Sequence, residues 1–134
     1  MLHTLEEKGI GQGENLRITE YIHDMAHILN ASDVVISRSG ALTVAEVTAC
    51  GIPAIFVPFP GAAENHQYYN ASSVDGAIVI EEADLGERSL IDEIDALRKD
   101  PDRLADMAAR SRSCGTMHAA KEICDTIERE LADA

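Results

Sequence analysis

Apolar and polar positions along the chain fall into short runs whose spacing separates strands from helices. Residues 16–22 (LRITEYI) alternate apolar and polar side chains, the period-two pattern of a strand with one covered face. Residues 34–37 (VVIS), 54–57 (AIFV) and 77–80 (AIVI, after Gly76) are short solid apolar runs, which imply a parallel sheet covered on both faces. Between these runs the spacing predicts helices over 25–30, over 42–50 ended by Gly51 and Pro53, and over 66–74 ended by Gly76. The tail over 90–131 predicts two or three amphipathic helices, with breaks near Asp100-Pro101 and Cys114-Gly115. Pro101 suits the first position of a new helix. Alternating strands and helices predict an α/β, doubly wound parallel layer with a helical C-terminal cap.

Composition narrows the function classes. The 134 residues, 46% of them hydrophobic, suffice for one globular core and are too few for two comfortable domains. Eleven Lys and Arg stand against 24 Asp and Glu, a net charge of -13 that repels phosphate backbones and anionic lipid surfaces alike. With 4% aromatics and no Trp, the chain also lacks the stacking platforms of a single-strand binder, so nucleic acid is not an expected partner. Cys50, Cys114 and Cys124 are odd in number and never form CxxC, which argues against a disulfide framework or zinc knuckle and fits a reducing cytoplasm. The N-terminal MLHTLEEKGI carries acid early and no apolar stretch of signal length, and the apolar runs are far shorter than a bilayer span.

Two segments carry chemistry. In DVVISRSGALTVAE, residues 33–46, a buried strand runs through Ser37-Arg38-Ser39-Gly40 straight into a helix. Amides at a helix start are unpaired and lie at the positive end of its dipole, and Gly40 would let an anion approach without a Cβ in the way. Ligands of open α/β sheets collect at such carboxyl ends of strands. Glu46 lies one turn after Thr43, where its carboxylate could accept two hydrogen bonds from a ribose diol while Thr43 helps hold a phosphate. The plainer alternative is that Ser39 only caps the helix and Glu46 is a solvated acid. In PFPGAAENHQYYNA, residues 58–71, Gln67 and Asn70 sit three apart on one helix face, where paired amides suit the hydroxyls of a sugar. Alternatively they cap or bridge the loop.

His23-Asp24-Met25-Ala26-His27 imitates the HExxH zinc-peptidase pattern. Asp replaces the general-base Glu, Asp24 would be a helix N-cap, and no third ligand follows at recognisable spacing, so no metal site is expected. Of the remaining histidines only His66 lies beside a candidate site. Ser39 lacks a GxSxG elbow and no Cys precedes a helix, so no nucleophilic triad is expected.

Taken together, residues 21–71 resemble the donor-binding half of the MurG family, peptidoglycan N-acetylglucosaminyltransferases with two-domain GT-B architecture. Tyr-Ile-x-Asp-Met, Arg-Ser-Gly-Ala-Leu-Thr-x-x-Glu, Gly-x-Pro and His-Gln-x-x-Asn-Ala occur in the family's order and approximate spacing. The resemblance implies a Rossmann-like half with a parallel sheet and C-terminal helices, with the motif region over 16–80 and closing helices over 84–132. It implies that the Ile22 backbone and Met25 meet a uracil. Ser39, Gly40, Ala41, Leu42, Thr43, Val44, Ala45 and Glu46 would wrap a uridine diphosphate, with Glu46 on the ribose. Gln67 and Asn70 would recognise N-acetylglucosamine, with His66 a possible further contact. Transfer to a lipid-linked muramyl-pentapeptide would be metal-independent, with inversion and without a cofactor.

The chain also departs from that family. The acceptor domain, with the expected general base and the membrane-docking surface, has no counterpart here, so no catalytic residue is assigned to this chain. In the usual strand order 3-2-1-4-5-6 the run at Leu16 is the third strand and those at Val34, Ala54 and Ala77 are the fourth to sixth, so the first two strands are missing. The expectation is a fragment or truncated gene product, cytoplasmic, marginally stable alone or completed by a second chain, belonging to an enzyme peripheral on the cytoplasmic membrane face. A non-catalytic nucleotide-sugar-binding module is the alternative.

Overall fold

The computed structural model describes residues 14–61, 65–86 and 90–133. Its elements run α1 (Met25–Asn30), β1 (Val35–Ser37), α2 (Ala41–Cys50), β2 (Ala54–Phe56), α3 (His66–Ser72), β3 (Ile78–Val79), a 3-10 turn (Glu82–Asp84), α4 (Leu90–Arg98) and α5 (Pro101–Asp133). The strands form one parallel sheet in the order β1-β2-β3, the arrangement expected of the fourth to sixth strands of a doubly wound domain. Flanking bonds extend the ladder, from the Val57 amide to Ser37 O at 2.9 Å and from the Ile80 amide to Phe56 O at 3.0 Å.

The solid apolar runs are explained by burial on both faces. Ala54 and Phe56 face a core with Leu29, Val44, Val47, Ala71 and Val74, covered by α1, α2 and α3. Ile55, one residue out of phase, faces the opposite core with Ile80, Leu97 and Met107, covered by α4 and α5. The central strand therefore has no polar side to show.

Helix boundaries follow their punctuation. Gly51 ends α2 in the left-handed region (φ 65°), where a Cβ would be strained. Asp24 caps α1, accepting from the His27 amide at 3.2 Å, so the HDMAH sequence is a helix start. Asp100 Oδ1 accepts from the Arg103 amide at 3.1 Å and Pro101 opens α5.

Two sequence expectations are corrected. Residues 16–22 are not a strand: Leu16 makes an isolated bridge and the rest is irregular, with Leu16 and Tyr21 exposed. An alternating pattern becomes a strand only against a ladder partner, and the described sheet ends at β1. The chain also does not break at Cys114-Gly115; α5 continues through both. Gly115 serves close packing instead, since a Cβ there would stand 2.5 Å from Thr48 O and 2.9 Å from the Ala49 nitrogen. The long helix thus crosses the end of α2 next to Gly51, which Arg112 of α5 approaches.

Candidate functional site

Ser39 and Gly40 follow β1 at the carboxyl edge of the sheet. Ser39 is fully buried and all its polar atoms are bonded to α3. Its amide donates to Gln67 Oε1 (3.2 Å), its hydroxyl donates to Gln67 O (2.6 Å), and its carbonyl accepts from Asn70 Nδ2 (3.1 Å). Ser39 is therefore not the helix cap. Gly40 occupies the cap position, without a side chain to give, and the amides at the start of α2 carry no side-chain cap. The result is a ten-residue helix presenting its positive end at the carboxyl edge of a parallel sheet.

Gln67 Oε1 also accepts the Phe59 amide at 2.9 Å. Two N–H donors on one oxygen fix the orientation of this amide, and Nε2 is left facing Gly40, 3.9 Å from where a Cβ on that glycine would stand. The bonds observed are those of the bridging alternative for the Gln67/Asn70 pair. Gln67 Oε1 and Asn70 Nδ2 hold the turn after β1, and Gln67 Nε2 is the amide end toward Gly40. His66 is the exposed first residue of α3, after Asn65 in the left-handed region (φ 59°), a conformation asparagine tolerates.

A second part of the site lies beside α2. Ile22, Met25 and Glu46 line one cavity of about 360 Å³ together with Thr19, Glu20 and Tyr21. The structure therefore brings together three residues that are 24 positions apart at most in sequence yet lie on a loop and two helices. Along α2, Ala41, Leu42, Ala45 and Glu46 are exposed and Thr43 is half-buried. Val44 turns its side chain into the core and its amide donates to Gly40 O at 3.0 Å, so it supports the surface the others present.

The side chains of Arg38, Phe59 and Glu82, to which the sequence assigned no role, meet at the same edge of the sheet. Arg38 Nη1 donates to Val57 O (3.4 Å), Pro58 O (3.3 Å) and Glu82 Oε2 (2.7 Å), and its guanidinium carbon stands 5.7 Å from the Phe59 ring centroid. Arg38 was visible in the motif, but nothing local announces a partner 44 residues away. Among the described residues no three His, Cys, Asp or Glu side chains gather as a metal site, and no helix is long and apolar enough to cross a membrane.

Comparison with known proteins gives this arrangement a context. Residues 2–127 match the model of the glycosyltransferase family 28 C-terminal domain. A UDP-N-acetylglucosamine–N-acetylmuramyl-(pentapeptide) pyrophosphoryl-undecaprenol N-acetylglucosamine transferase of Desulforudis audaxviator is 42% identical over 86% of this chain and 32% of its own length. The enzyme of the same name from an Anaeromyxobacter species is 46% identical over 81% of this chain and 29% of its own. The crystal structure of MurG from Acinetobacter baumannii superposes with a TM-score of 0.68 at 29% identity, over 84% of this chain and 35% of that one. The chain spans about a third of the length of these relatives. The match over residues 2–127, with the parallel sheet that accompanies it, makes this chain a member of the glycosyltransferase family 28 C-terminal domain family.

Proposed function

We propose that the chain is the donor-binding part of an inverting glycosyltransferase that moves N-acetylglucosamine from UDP-N-acetylglucosamine to a lipid-linked muramyl-pentapeptide. The observation that carries this reading is the cavity lined by Ile22, Met25 and Glu46 of α2, taken with the uncapped start of that same helix, whose preceding residue Ser39 is bonded to Gln67 and Asn70. With a rise of about 1.5 Å per residue, Glu46 lies about 9 Å along the axis from Gly40, and its side chain leans back toward the helix start. That is the reach of a ribose from the phosphates of one nucleotide. The base would lie against Met25 and the Ile22 backbone, the diphosphate on the first amides of α2, and the sugar next to Gln67 Nε2 and Asn70 Oδ1.

Chemically, an acceptor hydroxyl attacks the anomeric carbon, the bond from that carbon to the diphosphate oxygen breaks, and the hydroxyl proton passes to a base from the acceptor half. The amides and dipole of α2 stabilise the charge that grows on the departing diphosphate. The acceptor half is a further domain or a second chain, and the outer edge of β1, unpaired among the described residues, is where added strands would continue the sheet. The enzyme would work on the cytoplasmic membrane face through that other half, because a net charge of -13 has the wrong sign for anionic lipid.

Calorimetric titration with UDP, UDP-N-acetylglucosamine and ADP, repeated on Glu46→Ala, tests the reading. Selective uridine binding, weakened about tenfold or more by loss of a charged hydrogen-bond acceptor, is expected. Equal binding of ADP, or an affinity that ignores the substitution, would sink it.

A further inference from the structure

The ends of all three strands meet at one side chain. Arg38 directly follows β1, Val57 and Pro58 follow β2, and Glu82 lies three residues beyond β3. A single nitrogen, Arg38 Nη1, joins the Val57 and Pro58 carbonyls to Glu82 Oε2, while the guanidinium lies over Phe59. Arg38 thereby fixes the main chain on the N-terminal side of the Phe59 amide. That amide is one of the two donors on Gln67 Oε1, and the other belongs to Ser39, the residue next to Arg38. The contacts close a ring from the Arg38 side chain through Pro58-Phe59 and Gln67 back to Ser39. What the ring determines is which end of the Gln67 amide faces Gly40.

We propose that Arg38, held by Glu82, is a positioning residue for sugar recognition: by pinning the Pro58-Phe59 backbone it keeps the Gln67 Nε2 donor turned toward the donor's sugar. The inference rests on the donor-site reading above. Arg38 meets these acceptors through Nη1 while its planar guanidinium lies over the Phe59 ring. Arg38 touches neither nucleotide nor sugar in this scheme and acts through Gln67.

The test compares the wild-type chain with Arg38→Met, Glu82→Gln, Gln67→Glu and, as a control, Arg110→Met, whose partners Asp75 and Asp106 lie elsewhere on the surface. The ratio of UDP-N-acetylglucosamine to UDP affinity is read by calorimetry, and protection of the Ser39 and Phe59 amides by hydrogen exchange. Arg38→Met should lower the ratio about fivefold, the worth of one ordinary hydrogen bond, and speed exchange of both amides. Glu82→Gln should move both readouts the same way and less. Gln67→Glu keeps the accepting oxygen and removes the donor, so it should lower the ratio while the two amides stay protected. The control should move neither.

A ratio unchanged in Arg38→Met, or equal losses for both ligands, overturns the proposal, as does exchange that ignores Arg38. If Arg38→Met does not fold, Glu82→Gln decides by the same criteria. A wild-type chain that binds neither ligand refutes the donor-site reading itself, and exchange of the two amides then still decides whether Arg38 holds Gln67.

Discussion

Gly115 lies against Thr48 so closely that a Cβ built on it would stand 2.5 Å from the Thr48 carbonyl oxygen and 2.6 Å from its carbon. This contact is where α5 crosses α2, and it involves backbone, which cannot swing aside as a flexible side chain can. Gly115→Ala should therefore lower stability by about 1–3 kcal/mol in urea unfolding, although alanine is the better helix former by about 1 kcal/mol. A stabilised variant would show that the crossing yields easily.

Gly40 presents the opposite case. Its backbone (φ -61°, ψ 153°) suits any residue, and the nearest atom to a Cβ would be Gln67 Nε2 at 3.9 Å. Gly40→Ala should lower stability by less than about 1 kcal/mol, the usual difference between these residues at a cap, yet weaken UDP binding by obstructing the helix start. Unfolding curves and calorimetry on one preparation separate the two effects, and unaltered UDP affinity would contradict the placement of the diphosphate there.

Ser39→Ala removes the hydroxyl that donates to Gln67 O at 2.6 Å inside a fully buried site. Leaving that carbonyl short of a donor should cost about 1–2 kcal/mol of stability and loosen α3 from the turn before α2. Thermal unfolding and amide exchange at Ser39 report the two consequences, and a variant as stable as wild type would mean that solvent replaces the lost bond freely.

Much of this was legible in the chain, and the exceptions have physical reasons. Ala54-Ile55-Phe56 is read as a buried parallel strand because both its faces meet side chains, which solid apolar composition expresses directly. Gly51 and Asp24 act locally, so their effect on helix ends is written beside them. Residues 16–22 misled because alternation specifies which side a strand would cover, not whether a neighbour exists to pair with it. Gly115 misled because a glycine within a helix reads as a break, while its reason lies on a different helix. Within the candidate site, the turn from β1 through Gly40 into α2 could be read from types and spacing. The attachment of Ser39 to Gln67, and of Arg38 to Glu82 across 44 residues, is a property of the folded sheet edge and has no sequence period.

The uncapped start of α2 links occupancy to stability. Because Gly40 offers those amides no side-chain partner, an anion bound there acts as the cap that the sequence omits. Any such ligand binds the folded chain alone, and at one hundred times its dissociation constant it adds about 2.7 kcal/mol to the unfolding free energy. The turn it stabilises is bolted through Ser39 to α3. The melting temperature of this chain should therefore rise with nucleotide concentration, so that heat resistance itself becomes a gauge of how full the proposed donor site is.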